Sequence, residues 1–312
     1  MRKTTRLKQL LEAREILVMP GAYDCLSAKL VEMAGFEAVQ CSGYGFAASL
    51  LGQPDVGLLS FDEVLVQTKN IVNAVSIPVM ADGDTGYGNA INVIRTVREF
   101  EQAGAAGINI EDQVWPKRCG HMSGKEVIPA EEMVKKIEAA VWARRDKDFI
   151  INARTDARAV YGPEEAIRRA EAYWQAGADL IFMEAPQSID ELKLYSDRLA
   201  SRGIRISANM LDGGRTPLVS FDELEEMGFS RCSVPVMTVY AAAKGMLEAL
   251  KQLHSDRTNR HLGEKILPFA EFNKIIGLPE IRELEARFLP AEAVRTKYGS
   301  LEELHAEKEK GK

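Results

Sequence analysis

Eleven residues near the middle of the chain hold a concentration of reactive groups: Glu111, Asp112 and Gln113, then Lys117, Arg118, Cys119, Gly120 and His121. A thiol reacts as its thiolate, and adjacent positive charge lowers a thiol pKa, so Lys117, Arg118 and His121 predict a Cys119 able to act as acid or nucleophile near neutral pH. A lone cysteine is more often a small buried hydrophobe. Here the flanks are charged and glycine-bracketed instead of apolar, which favours chemistry. Further carboxylates stand at Asp55, in Gln53-Pro54-Asp55, and at Asp82 and Asp84, in Asp82-Gly83-Asp84-Thr85-Gly86. Asp82, Asp84, Glu111 and Asp55 are hard oxygen donors that would repel one another unless a cation or protons neutralised them. Without His or Cys among them, magnesium fits better than zinc. An Asp beside Gly is often only a turn or cap, which is the competing reading for Asp84.

These groups need a frame that brings them together. Short apolar runs at 16–19, 38–42, 77–82, 107–111, 149–154, 180–184, 205–209 and 231–234 alternate with segments of helical spacing such as 61–75, 90–103, 130–145, 163–175 and 189–200. Four runs follow a related phrase, Ala34-Gly35-Phe36, Ala103-Gly104-Ala105, Ala176-Gly177-Ala178 and Met227-Gly228-Phe229, in which glycine ends a helix before the next strand. Eight such units predict an α/β fold, a closed (β/α)8 barrel of the TIM type, and the lack of GxGxxG after the first strand disfavours a dinucleotide-binding sheet. A single barrel domain is expected over 1–312, with its core at about 15–250, a helical extension at about 251–300 and a frayed tail at 301–312. Surplus helices of this kind often form subunit contacts, so a homo-oligomer is expected.

In such a barrel chemistry collects at the carboxyl ends of the strands. Those ends read Ser42-Gly43-Tyr44-Gly45, Asp82, Glu111, Arg154-Thr155-Asp156, Glu184 and Asn209. Ser42 and the glycine N–H groups can donate to a carboxylate. Arg154 is either a bidentate clamp for an anion or a salt-bridge partner of Glu184. Asn209 donates and accepts, and Pro235 shapes the opposite wall. Composition narrows the partners: 46% hydrophobic content suffices for a full core, and a net charge of −6 without a basic run argues against nucleic acid or an anionic membrane surface. The four cysteines lack CxxC spacing, and no run is long and apolar enough for a membrane span, which suggests a cytoplasmic protein with free thiols.

The ordered set Ser42-Gly43-Tyr44, Leu51-Gly52-Gln53-Pro54-Asp55, Asp82-Gly83-Asp84-Thr85-Gly86, Glu111-Asp112-Gln113, Pro116-Lys117-Arg118-Cys119-Gly120-His121, Ala153-Arg154-Thr155-Asp156, Glu184-Ala185 and Ala208-Asn209-Met210 resembles the isocitrate lyase and phosphoenolpyruvate mutase superfamily, in its short carbon–carbon lyases, over nearly the whole chain. The resemblance implies a magnesium ion, with manganese as a substitute, contacted mainly by Asp82 and partly through water by Asp55, Asp84 and Glu111. It implies substrate oxygens held by Ser42, Gly43, Tyr44, Gly120, Arg154, Glu184 and Asn209 beside Pro235, and a homotetramer with C-terminal helices exchanged between subunits. Cys119 becomes a general acid on a gate loop, supported by Lys117, Arg118 and His121, while Tyr44 is the candidate for the base. The implied reaction is cleavage of a small 2-hydroxy carboxylate, a 2-alkylmalate such as 2,3-dimethylmalate, to an α-keto acid and a carboxylic acid. Phe46, Leu50, Leu211 and Ile276 are the expected apolar lining. Cleavage of 2-methylisocitrate to succinate and pyruvate is the alternative; carboxyphosphonoenolpyruvate mutation, oxaloacetate hydrolysis and a non-catalytic barrel stand behind it.

Overall fold

A computed structural model describes residues 1–299, so the expected frayed tail at 301–312 lies outside the described residues. Eight parallel strands close on themselves in sequence order: β1 (Leu17–Ala22), β2 (Val39–Cys41), β3 (Val79–Asp82), β4 (Gly107–Glu111), β5 (Ile150–Thr155), β6 (Leu180–Met183), β7 (Ile206–Asn209) and β8 (Arg231–Val234), with β8 back against β1. The expected (β/α)8 barrel is therefore present. Register aligns the chemistry at one rim: Asp82 pairs with Asn109, Glu111 with Arg154, and Asn209 with Ser233.

The strands are buried on both faces, as a sheet covered by helices requires, although Gln40, Asn152, Ser207, Arg231 and Ser233 make part of that buried surface polar. β1 runs past its predicted end through Pro20 and Gly21, and Gly21 lies so close to the Pro235 carbonyl that a side chain there would collide with it. The outer helices bury one stripe each; Val93, Val97 and Phe100 of Ala90–Gln102 sit fully inside. Capping boxes start several helices, with Ser60, Asn89 and Ser220 as the caps. The four helix-ending glycines all have left-handed φ, from 81° at Gly228 to 101° at Gly177, where a side chain would be strained.

The first helix, Lys3–Glu12, reads as polar but buries Leu7, Leu10 and Leu11 against Leu17, Ala38, Met80, Ala106, Ile150 and Leu180 at the strand starts. It plugs the end of the barrel opposite the polar rim. Each buried leucine contributes about 2 kcal/mol to that plug.

Contacts divide the chain into two compact units, Met1–Tyr240 and Ala241 onward. The division falls within the helix Met237–Asp256, ahead of the expected start of the extension. The second unit contains the helices Phe269–Ile275, Leu278–Phe288 and Ala291–Tyr298. Gly277 at φ 87° turns the chain between the first two of these helices, and Pro279 lies in the first turn of the second. Met246, Leu250, Phe269 and Phe288 of this unit are exposed. No helix among the described residues is long and apolar enough to cross a membrane.

Candidate active site

One pocket opens at the carboxyl rim. It is lined by Ser42, Gly43 and Tyr44 after β2, Asp82 of β3, Arg154 of β5, Glu184 after β6, Asn209 of β7 and Pro235 after β8, with Asp55, Lys117, Cys119, Gly120 and His121 supplied by loops. Asp84 and Glu111 lie directly behind it, in contact with Lys117 and Arg154 respectively. Of the catalytic, substrate-binding and metal-binding residues expected here, Arg118 stands apart. Its side chain is exposed and runs beside Gly124, while its backbone pairs with the Gln113 amide.

The acids sort around two cations. Lys117 Nζ lies 2.7 and 2.8 Å from the Asp55 carboxylate oxygens and 2.8 Å from Asp84 Oδ1. Burial alone would lower the Lys117 pKa, but Asp84 and Asp55 outweigh it and hold the ammonium well above its ordinary value. Arg154 donates to Asp156 at 2.9 and 3.2 Å and lies 3.3 Å from Glu111 and 3.2 Å from Glu184. Lys125, which the sequence reading missed, adds a bond to Asp156 at 2.9 Å and also donates to the Gly120 carbonyl. Despite their burial, Asp156 and Glu184 are held below the usual carboxylate range, Asp156 by Arg154 and Lys125, Glu184 by Arg154 and His121.

Asp82 and Glu111 behave oppositely. Burial pushes both carboxyls up, Glu111 strongly, and Glu111 Oε1 is buried without a hydrogen-bond partner. Asp82 accepts from the Gly43 N–H at 3.0 Å and the Asp84 N–H at 3.1 Å. The Gly43 N–H expected to meet a substrate is thus engaged by Asp82, and that of Gly45 by the Ser42 hydroxyl oxygen, because the glycine-rich stretch is a short helix, Gly43–Phe46, capped by Ser42. The Ser42 proton stays available for donation.

The Cys119 loop is seated in the pocket. Its N–H donates to the Asp55 carbonyl at 3.0 Å, and Gly120 packs so tightly on Arg154 and Glu184 that a side chain there would overlap both. His121 Nδ1 accepts from the Arg215 N–H at 2.9 Å, which leaves Nε2 as the protonated nitrogen, 3.3 Å from Glu184. The expected lowering of the Cys119 pKa is reversed. Burial pushes the thiol up to about 11, with Asp55 and Glu184 adding to the rise. Lys117 and His121 are spent on carboxylates and Arg118 points away, so the positive charge adjacent in sequence does not act on the sulfur. Among the apolar residues expected to line the pocket, Leu211 does so; Phe46 is core, Leu50 is exposed, and Ile276 belongs to the second unit.

Whether a metal fits is a question of charge and donors. Among the described residues no three His, Cys, Asp or Glu side chains are gathered into a ready cage. Magnesium does not need one, since it is commonly bound by one or two carboxylates while keeping water and substrate oxygens. Asp82 faces the cavity, Glu111 carries an orphaned buried oxygen, and both are short of positive charge. The donor set fits a hard divalent cation.

Several polar groups went unassigned in the sequence. Tyr87 donates to Asp84 at 3.3 Å, and Gln40, Asn109, Arg231 and Ser233 reach the pocket from inside the barrel. The period-two alternation of Arg231-Cys232-Ser233 was the available signal for such inward positions. Among the described residues, three of the four non-glycine residues with left-handed φ, Asp84, Tyr87 and Ala185, also lie at this rim, where strained backbone often accompanies a site.

The profile of the family described as phosphoenolpyruvate phosphomutase matches residues 7–254. Across 92% of this chain and 99% of the relative, the sequence is 46% identical to 2,3-dimethylmalate lyase of Eubacterium barkeri; a crystal structure of 2,3-dimethylmalate lyase superposes with TM-score 0.88 and 36% identity over 93% of this chain and 97% of that one. A 2-methylisocitrate lyase of Aeropyrum pernix is 44% identical over 90% of this chain and 89% of its own. Phosphonopyruvate hydrolase, crystallised with oxalate and Mg++, superposes with TM-score 0.84 and 31% identity over 93% of this chain and 100% of that one. The chain is a lyase of the phosphoenolpyruvate mutase/isocitrate lyase superfamily.

Proposed function

We propose that this chain cleaves the C2–C3 bond of a 2-alkylmalate such as 2,3-dimethylmalate, giving an α-keto acid and a short carboxylic acid. The observation that carries the reading is the placement of the Cys119 thiol in a pocket among carboxylate and guanidinium groups that can hold a small dicarboxylate. Asp82 would hold magnesium, with Asp55, Asp84 and Glu111 close by and partly acting through water. When bound, the metal lowers the pKa of a 2-hydroxyl group and orients it with its carboxylate.

The protein groups divide the remaining work. Ser42, Gly120, Arg154, Glu184 and Asn209 orient the acid, with Gly43, Pro235 and Leu211 as walls. Tyr44, whose ring meets Tyr240 edge-on at 6.1 Å, is the candidate to accept the hydroxyl proton. Bond cleavage leaves an enolate on the departing carboxylic acid, and Cys119 delivers its proton to that carbon. Its raised pKa suits this task, since the thiol stays loaded with a proton near neutral pH. Lys117 keeps the Asp55–Asp84 pair neutralised, and His121 orients Glu184.

Relatives named for 2,3-dimethylmalate and for 2-methylisocitrate both support a hydroxy acid of this size, and the apolar Leu211, Pro235 and Val236 favour an alkyl group. Exposed apolar residues on the second unit, such as Phe269 and Phe288, support assembly into a homo-oligomer, a tetramer on this reading, and four unpaired thiols support a cytoplasmic setting. The test is keto-acid release over malate, 2,3-dimethylmalate and 2-methylisocitrate with added magnesium, for wild type and Cys119→Ser. Turnover of dimethylmalate is expected, with a loss of roughly 100-fold or more in the variant and unchanged pyruvate binding. Turnover of the tricarboxylate alone would sink the substrate assignment, and full activity in the variant would sink the role of the thiol.

A further inference from the structure

Arg154 looks like the natural clamp for a substrate carboxylate, yet three carboxylates already surround it: Asp156, Glu111 and Glu184. Arg231 is its counterpart at the floor of the same pocket, and its setting is the reverse. It is 2% exposed and lines the cavity, and its guanidinium meets only neutral groups. Nη2 donates to Gln40 Oε1 and Ser233 Oγ. With the Asn152 amide turned so that its nitrogen donates to the Leu180 carbonyl at 3.0 Å, Nη1 donates to the Asn152 oxygen at 2.9 Å. Nε is buried with no partner at all. Burial lowers the Arg231 pKa to about 10, and no carboxylate acts on it in return. A buried cation without an anion is costly, and a buried N–H without a partner is a vacant donor.

We propose that Arg231, with the Ser233 hydroxyl beside it, forms an anion subsite at the pocket floor that takes one small monovalent anion, a ligand carboxylate or a free halide. The cavity above it, about 70 Å³, has room for such a group. For the carboxylate source the inference rests on this pocket being the substrate site; the halide source does not depend on that. The subsite would place a negative group on the floor, away from the acids that crowd Arg154, and so fix which end of the substrate faces Cys119.

The test uses the full chain with magnesium. Pyruvate binding is measured by calorimetry and chloride binding by the chloride NMR line width, for wild type, Arg231→Met and Arg231→Lys. If a ligand carboxylate occupies the subsite, Arg231→Met weakens pyruvate by roughly tenfold to a hundredfold, Arg231→Lys recovers part of it, and pyruvate displaces chloride from the wild type. If a free halide occupies it, chloride broadening is lost in Arg231→Met while pyruvate affinity holds. Unchanged pyruvate affinity in Arg231→Met, with no Arg231-dependent chloride signal, overturns the proposal. Failure of pyruvate to bind the wild type breaks the reading of the pocket instead, and the chloride measurement then decides alone. Should Arg231→Met not fold, Ser233→Ala leaves the guanidinium in place with one partner fewer: altered chloride or pyruvate binding supports the subsite, and no change in either counts against it.

Discussion

Glu111 and Asp112 are neighbours at the end of β4, both buried carboxylates, and they have opposite surroundings. Asp112 points out of the barrel toward the helices and accepts from Thr155 Oγ1 at 2.7 Å, Tyr173 Oη at 2.8 Å, and the Asp156 N–H and Arg169 Nη1 at 2.9 Å. Glu111 points to the rim with one oxygen orphaned and the other 3.3 Å from an Arg154 shared with Asp156 and Glu184. Alternation along a strand sends successive side chains to opposite faces, so a step of one residue separates a satisfied structural acid from one left in want of a cation. Burial raises the pKa of both, but for Asp112 the Asp156 N–H, Thr155 and Tyr173 donors partly offset it. A buried acid with full hydrogen bonding holds the fold; a buried acid without it is a place for a ligand.

The comparison can be broken in three ways. The largest expected effect is that of Asp112→Ala, which leaves Arg169 with Glu165 as its remaining carboxylate partner, deprives Thr155, Tyr173 and the Asp156 N–H of their buried acceptor, and should cost about 3–5 kcal/mol of stability. Urea unfolding measures it, and a loss under about 1 kcal/mol would remove Asp112 from the frame. Next, Glu111→Gln removes a group whose charge the fold does not satisfy, so melting near neutral pH should be unchanged or slightly raised while turnover or magnesium affinity falls about 10–100-fold. A variant that unfolds like Asp112→Ala would erase the distinction.

The smallest effect concerns pH. A carboxyl whose folded pKa is raised keeps its proton after the unfolded chain has released its own, so burying Asp82 and Glu111 costs stability progressively as pH climbs above about 4. Magnesium competes with those protons, and its stabilisation should therefore be greater near pH 8 than near pH 5.5, by about 1.4 kcal/mol for each pKa unit of competition. Thermal melts with and without the metal, for wild type and Glu111→Gln, check the sign. Stabilisation that is equal at both pH values would argue against these acids as the site of the cation.

Much of this molecule was readable in order along the chain. The helix-ending glycines 35, 104, 177 and 228 punctuate the repeat, and acids or amides fall where strands stop, at Asp82, Glu111, Glu184 and Asn209. Strand limits were off at Pro20 and Gly21, through which β1 continues. The Gly43 and Gly45 N–H groups expected to meet a carboxylate ligand are engaged by Asp82 and Ser42 in the short helix Gly43–Phe46, and a helix of so few residues has no periodicity to detect. Lys125 gave no signal, since its partner Asp156 is far along the chain and meets it only through the barrel.

By itself the sequence determined the alternation of strands and helices, the closed parallel barrel that follows from it, and the rim at which polar residues gather, because these depend on local periodicity and turn chemistry. Tertiary structure alone decided what each polar group faces. Lys117 and His121 stand within two residues of Cys119 yet face the carboxylates of Asp55, Asp84 and Glu184, so the thiol is driven up by burial instead of down by charge. Arg231 reads as one more strand residue and is a buried cation without an anion. Electrostatics acts through space and depends on the dielectric around each group, and neither the neighbours across a barrel nor their burial is written in the spacing of residues along one strand.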